Sequence, residues 1–183
     1  MPYHSRPRGD YRQARHYYEE AKKAFEELGA VREKASVLHQ LGTLCQAQGD
    51  YPQARKFYEE SLEIKKALGD KAGIAATLHQ LGILCQDQGD YPQARRFYEE
   101  SLEIAKDLGD KAGIAITLGQ LGKLEEAEGR LEEAVGLWLQ AASLFKELNS
   151  PYFDTVMGCL ANTQKKLGER RFKELLDKLG AGG

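Results

Sequence analysis

The chain has 183 residues, 42% of them hydrophobic and 30% charged, with a formal net charge of −2. That is the balance of an ordinary folded chain, and it fits neither a disordered polyelectrolyte nor a nucleic-acid binder driven by bulk charge. No apolar run approaches the ~20 residues needed to span a bilayer, and the opening MPYHSRPRGD has no apolar core, so no secretory leader is read there and a cytoplasmic protein is expected.

In chain order, residues 1–8 read as an irregular lead-in. Gly9-Asp10 opens a helix with Ala14, Tyr17, Tyr18, Ala21 and Phe25 on one face at helical spacing, and Leu28-Gly29 closes it. A second helix runs from about Val31 to Gln48 and carries Ala35, Leu38, Leu41, Gly42 and Cys45. Gly49-Asp50 then forms a turn. Asp50 is placed to cap the next helix, and Pro52 sits in its first turn, where a missing N–H costs nothing. Ala54, Phe57, Tyr58, Ser61, Leu62 and Ile64 mark the buried side of that helix, and Leu68-Gly69-Asp70 ends it.

The whole pattern then recurs. Residues 89–128 lie over 49–88 without a gap, and thirty of the forty positions are identical. The same frame fits 9–48 with more changes and 129–168 more loosely. A fixed period in this range marks a stacked repeat, here built of helix pairs, with no β-alternation anywhere. The fourth unit drifts: Gly129-Arg130 replaces Gly-Asp, and Leu137 and Trp138 replace the Phe-Tyr pair. Asn149-Ser150-Pro151 becomes the next turn, with Ser150 expected as N-cap and Pro151 at the first helical position. After Gly168, residues 169–179 form a short amphipathic helix. Phe172, Leu175, Leu176 and Leu179 share one face, which suits the end cap that an open repeat array requires. Residues 180–183 read as a tail.

These residues resemble the tetratricopeptide repeat family. Leu41-Gly42, Gly49, Tyr51, Ala54 and Tyr58 match its unit, as do Leu81-Gly82, Gly89, Tyr91, Ala94 and Tyr98. Leu121-Gly122, Gly129, Ala134 and Trp138 match with Leu131 in place of an aromatic. The forty-residue period is similar to that of kinesin light chains and of bacterial regulatory and scaffold arrays. The resemblance covers roughly residues 9–168. It implies an all-α, right-handed superhelical solenoid of antiparallel helix pairs, about nine helices, in units 9–48, 49–88, 89–128 and 129–168.

The resemblance further implies that the first helix of each unit lines a concave wall that binds a peptide or helix of a partner protein. That wall would carry Ser36, His39, Gln40, Thr43, Gln46 and Ala47, then Ala76, His79, Gln80, Ile83, Gln86 and Asp87. Ile116, Gly119, Gln120, Lys123, Glu126 and Ala127 follow, then Val156, Cys159, Thr163 and Lys166. The two most similar units give independent support. They differ at ten positions, and seven of these fall in the wall helix. Five of the seven, Ala76, His79, Ile83, Gln86 and Asp87, recur on one helical face. On the other helix only Lys56, Lys65 and Ala67 change, and all three are expected on its exposed side.

His39 and His79 occupy equivalent places on the wall, and three readings are open for them. They are a metal pair, hydrogen-bonding groups for a peptide backbone beside Gln40, Gln80 and Gln120, or solvated polar side chains. No ligand spacing accompanies them, so no metal and no cofactor is expected. Family members that clamp a carboxylate use cations on this wall; His39, Thr43, Gln80, Ile116 and Gln120 supply none, so that specificity is not implied. Cys45 and Cys85, one repeat apart at roughly a helix-packing distance of 10 Å, are too far apart for a disulfide and are expected reduced. No catalytic motif is present, so no enzyme activity is expected, and neither nucleic acid nor membrane is an expected partner. The alternative to a protein-interaction scaffold is a ligand- or peptide-sensing regulatory segment of a larger protein, since the chain opens on the second helix of a unit. That same missing helix leaves Tyr11, Tyr17, Tyr18 and Phe25 as candidates for an open apolar patch, and a weak homodimer through the N-terminal end is expected.

Overall fold

Four of the turns between helices are made the same way, and the turn at Gly49 shows how. Gly49 has φ 78°, a conformation that costs glycine nothing. Its N–H donates to Gln46 O at 2.9 Å and the Asp50 N–H donates to Cys45 O at 2.9 Å, closing the helix end. Asp50 Oδ1 then accepts from Gln53 N–H at 3.3 Å and starts the following helix. Asp70, Asp90 and Asp110 cap in the same way, onto Gly73, Gln93 and Gly113. At the corresponding place in the fourth unit Asn149 takes the left-handed conformation, φ 49°, which asparagine tolerates better than other side chains.

The computed structural model describes residues 8–180. Among them are nine α-helices and no strand: α1 (Arg8–Glu27), α2 (Val31–Ala47), α3 (Tyr51–Ala67), α4 (Lys71–Asp87), α5 (Tyr91–Leu108), α6 (Lys111–Ala127), α7 (Leu131–Glu147), α8 (Tyr152–Leu167) and α9 (Glu169–Lys178). Connections of two to four residues between α1 and α8 leave successive helices no choice but antiparallel packing. The expected lead-in lies outside the described residues up to position 7, and Arg8 already belongs to α1. Of the expected tail, only Gly180 is described. The chain forms two compact units, one up to Ser101 and one from Leu102.

In the first unit, Leu38, Leu41 and Cys45 of α2 pack with Ala54, Tyr58 and Leu62 of α3, and Leu78, Leu81 and Cys85 of α4 with Ala94 and Tyr98 of α5. In both units an aromatic ring is pressed on a glycine of the preceding helix. A Cβ added at Gly42 would stand 2.6 Å from Tyr58 Cδ1, and one at Gly82 would stand 2.5 Å from Tyr98 Cε1. In the second unit Trp138 plays the same part, with its indole 2.5 Å from the place a Cβ on Gly122 would occupy. All three rings are fully buried. Val135, Ala141 and Phe145 of α7 and Val156 and Leu160 of α8 complete that core. The helix α9 follows α8 with Phe172, Leu175 and Leu176 half-buried and Leu179 exposed, and Arg171 pairs with Glu132 of α7 at 2.7 Å.

Three expectations need correction. Tyr17 does not lie on the packed face of α1: it is 59% exposed, whereas Tyr18, Ala21 and Phe25 are half-buried. Helix α8 begins at Tyr152, with Pro151 just outside it, and Ser150 Oγ accepts only a long bond from Tyr152 N–H at 3.4 Å. Lys65, expected on an exposed face, is buried, because its position in the repeat frame is a core position held elsewhere by Phe25, Ala105 and Phe145.

The ring-on-glycine contact makes a direct prediction. Gly82→Ala should destabilise the protein by about 1–3 kcal/mol through overpacking against Tyr98. In a Tyr98→Leu background the same substitution should cost markedly less, because the clashing ring is gone. Urea denaturation of the four proteins of this cycle measures both effects.

Candidate functional site

The wall expected from the sequence is built separately in each unit. In the first unit it consists of α2 and α4, which run side by side. Ser36, Gln40, Thr43, Ala76 and Asp87 are exposed on it, and His39, Gln46, His79, Gln80, Ile83 and Gln86 are half-buried. Several of these side chains are already engaged. Ser36 Oγ donates back to Arg32 O, and Thr43 Oγ1 to His39 O.

One chain of bonds ties the wall to the core. The Tyr58 hydroxyl lies 3.0 Å from Gln46 Oε1 and 3.1 Å from Thr43 Oγ1. Gln46 Nε2 then donates to Asp87 Oδ2 on α4 at 2.9 Å. The amide of Gln46 is thereby fixed, with its oxygen toward Tyr58 and its N–H toward the carboxylate. Tyr98 donates to Gln86 Oε1 at 2.8 Å in the same manner. Burial raises both phenols, Tyr58 to about 12, so both stay protonated donors. Gln46 and Gln86 are thus presented by buried tyrosines rather than left to rotate.

The two histidines stand on the same rings. His39 lies 5.4 Å from Tyr58 and His79 lies 5.5 Å from Tyr98, both tilted. His39 also reaches α4, where its Nδ1 is 3.2 Å from Thr77 Oγ1. Thr77 donates its own proton to Gly73 O at 2.9 Å and accepts from Lys65 Nζ at 2.8 Å. Its remaining lone pair is therefore open to a proton from His39 Nδ1, which fixes that tautomer and leaves Nε2 as an acceptor. Burial, and then the Lys65 ammonium, push His39 down to about 4. Burial also pulls Lys65 below its usual 10.5, opposed by Asp70. Neither the Tyr58–Gln46–Asp87 chain nor the Lys65–Thr77–His39 cluster was foreseen from sequence. The one available signal was a lysine at a position that is otherwise Phe or Ala.

In the second unit the wall is made by α6 and α8 and is chemically different. Ile116, Lys123 and Lys166 are exposed and Gln120 and Glu126 are half-buried. Glu126 accepts from Lys166 Nζ at 2.8 Å. Thr163, expected to face a partner, is fully buried, its hydroxyl donating to Cys159 O at 3.1 Å. Below the wall, Glu125 stands where Cys45 and Cys85 stand in the first unit. It is buried and paired with Arg130, which itself replaces the capping aspartate. These two substitutions compensate each other in charge, at the loss of a side-chain cap on α7.

The pKa shifts set a sign for stability. Above 6.5 His39 is neutral folded or unfolded and contributes no pH dependence. Between 6.5 and about 4 the unfolded chain binds a proton that the folded one refuses, so stability should fall as pH falls, by up to about 3 kcal/mol. His39→Gln should remove that slope. Lys65 acts at the alkaline end: with its folded value below 10.5, stability rises as pH climbs toward 10.5. Lys65→Met should flatten that rise and stabilise the neutral protein by on the order of 1 kcal/mol. Denaturation midpoints from pH 4 to 10 test both.

The tetratricopeptide repeat family model matches residues 4–67 and 68–148. No curated protein matches the chain. Among solved structures, BtubC (BKLC) from P. vanneervenii is 21% identical with a TM-score of 0.73, over 95% of this chain and 68% of that one. The apo form of RapI is 16% identical with a TM-score of 0.77, over 89% of this chain and 63% of that one. The nearly identical TPR-like repeats of a putative kinesin light chain from Podosopora anserina are 21% identical with a TM-score of 0.62, over 95% and 93%. At these identities the likeness is one of fold. With the turns, the ring-on-glycine contacts and the helix pairs in place, and the family model matched over most of its length, the chain belongs to the tetratricopeptide repeat family.

Proposed function

We propose that this protein is a non-enzymatic interaction module whose α2–α4 wall holds a peptide or helical segment of a partner protein. The observation that carries this reading is where the similar units differ. The scaffold positions are copied, while His79, Ile83 and Asp87 become Gly119, Lys123 and Ala127 on one helical face. With Lys65 buried, only Lys56 and Ala67 change on the exposed side of the companion helix, so general surface drift accounts poorly for the clustering. The wall also suits a peptide backbone. It offers glutamine amides held by Tyr58 and Tyr98, which supply donors and acceptors at little further entropic cost. Among the described residues no group of three His, Cys, Asp or Glu is placed to hold a metal ion, and no helix is long and apolar enough to cross a membrane.

A weak homodimer through α1 belongs to the same reading. Tyr17 on this helix, 59% exposed, and Leu28 just past its end, 77% exposed, leave apolar surface open. Light scattering over a concentration series should show mass rising for the native protein and flat for Tyr17→Glu. A constant monomer mass for both removes the dimer.

The partner reading is tested by capture from lysate with the native protein and with a His79→Ala, Gln80→Ala, Asp87→Ala variant of unchanged helical content. The variant should lose the partners that the native protein retains. The same partners on both would place binding elsewhere.

A further inference from the structure

We propose that the second unit carries a small-molecule site of its own, a cavity between α6 and α8 that takes a single aromatic ring bearing a carboxylate. The site is independent of the α2–α4 wall.

The cavity has an identifiable origin. In the first unit, imidazole rings cover the buried tyrosines at 5.4 and 5.5 Å. The equivalent position on α6 is Gly119, and a Cβ built there meets nothing within 4 Å. Trp138 replaces the tyrosine and donates its indole N–H to Gly119 O at 3.3 Å. The larger indole therefore sits fully buried under the backbone of Gly119, and no side chain at that position takes the place of the imidazole. What remains is a space of about 240 Å³ over Trp138, walled by Ile116, Lys123, Tyr152, Val156 and Cys159.

Its walls select the ligand. Ile116 and Tyr152, 39% and 57% exposed, leave apolar surface at the rim, and Phe145 and Tyr152 form a tilted ring pair at 5.7 Å. A further ring meets aromatic faces and edges here, a geometry that rings favour over simple apolar contact. The volume lies below the ~300–1,000 Å³ of sites for larger organic ligands, which limits the occupant to one ring system.

The charge is equally specific. Lys123 has no ion pair or hydrogen bond among the described residues. Of the two carboxylates that follow it on α6, Glu125 is paired with Arg130 and Glu126 with Lys166. Cys159, whose thiol is raised by burial, supplies no compensating thiolate at neutral pH. An ammonium beside an apolar cavity gains most from an anion that brings its own apolar body, and Gln120 adds an amide donor on the same wall.

The probe is 3-phenylpropionate. Trp138 is the sole tryptophan and forms the floor of the cavity, so its emission is sensitive to what enters it. Titration of the full chain should give a saturable change in emission, with protection of Cys159 from alkylation at the same concentrations. The uncharged 3-phenylpropanamide and the ring-free hexanoate should each bind about tenfold more weakly. Lys123→Gln, an exposed substitution that leaves the core alone, should weaken 3-phenylpropionate by a similar factor. Gly119→His, with helical content checked, should close the site. Absence of saturable binding overturns the proposal, as does equal binding of the amide or of hexanoate. Binding of the capped dipeptide acetyl-Phe-Asp-amide without binding of 3-phenylpropionate overturns it too, and would extend the peptide reading to α6. Loss of partner capture by the α4 triple variant bears on that reading alone.

Discussion

An aromatic ring pressed on a glycine of the preceding helix sets the geometry of every helix pair around it. Tyr58 on Gly42, Tyr98 on Gly82 and Trp138 on Gly122 leave no room for a single added carbon. Two helices that approach this closely have little freedom to slide, because the ring fills the gap that a side chain on the first helix would otherwise keep open. The rings are also polar at one end. Buried hydroxyls must be satisfied, and in the first unit they are satisfied by Gln46 and Gln86 at the wall. The packing contact and the orientation of the wall glutamines are thus one feature. A tyrosine holds the helices together from below and fixes an amide above.

The second unit shows what happens when one member of this arrangement changes. Tryptophan has no hydroxyl, so the glutamine's role lapses and Glu126 at that position turns to Lys166. The indole N–H finds the Gly119 carbonyl, which is reachable because position 119 carries no side chain. The exchanges of His for Gly, Tyr for Trp and Gln for Glu are linked by hydrogen-bond bookkeeping, just as Cys for Glu and Asp for Arg are linked by charge at positions 125 and 130. Two units of one frame therefore present different chemistry, one with fixed amides and imidazole rings, the other with an apolar cavity beside an ammonium that has no ion pair among the described residues.

The period, the turns and the aspartate caps were legible in the sequence because their chemistry is local. A glycine with positive φ followed by an aspartate needs no knowledge of the rest of the chain. The face of α4 and α6 that differs between units was also legible, by helical spacing alone. What each wall residue does was less so. His39, Gln46, Gln86 and Thr163 look free in one dimension, yet they bond to residues 12 to 38 positions away or lie wholly enclosed. Tyr17 shares a helical stripe with Tyr18 and Phe25, and spacing alone could not say which of the three stays open; the exposed one is Tyr17.

Lys65 shows how a repeat frame carries information that single-residue reasoning discards. By residue type a lysine belongs outside. By position it belongs with Phe25 and Phe145, and position wins because the backbone that places it is fixed by the ring-on-glycine contacts on either side. The lysine is accommodated by spending Thr77, whose hydroxyl accepts from Nζ while donating to Gly73 O. That in turn explains the state of His39. With Lys65 close by and Thr77 already saturated as a donor, the imidazole is held neutral with its Nδ1 proton directed at Thr77. One repeat on, Ala105 takes the place of this lysine and Thr117 that of Thr77, while the imidazole is kept as His79 on Tyr98. The ring on the tyrosine is therefore part of the copied frame, and the buried ammonium is the addition that sets the His39 cluster apart.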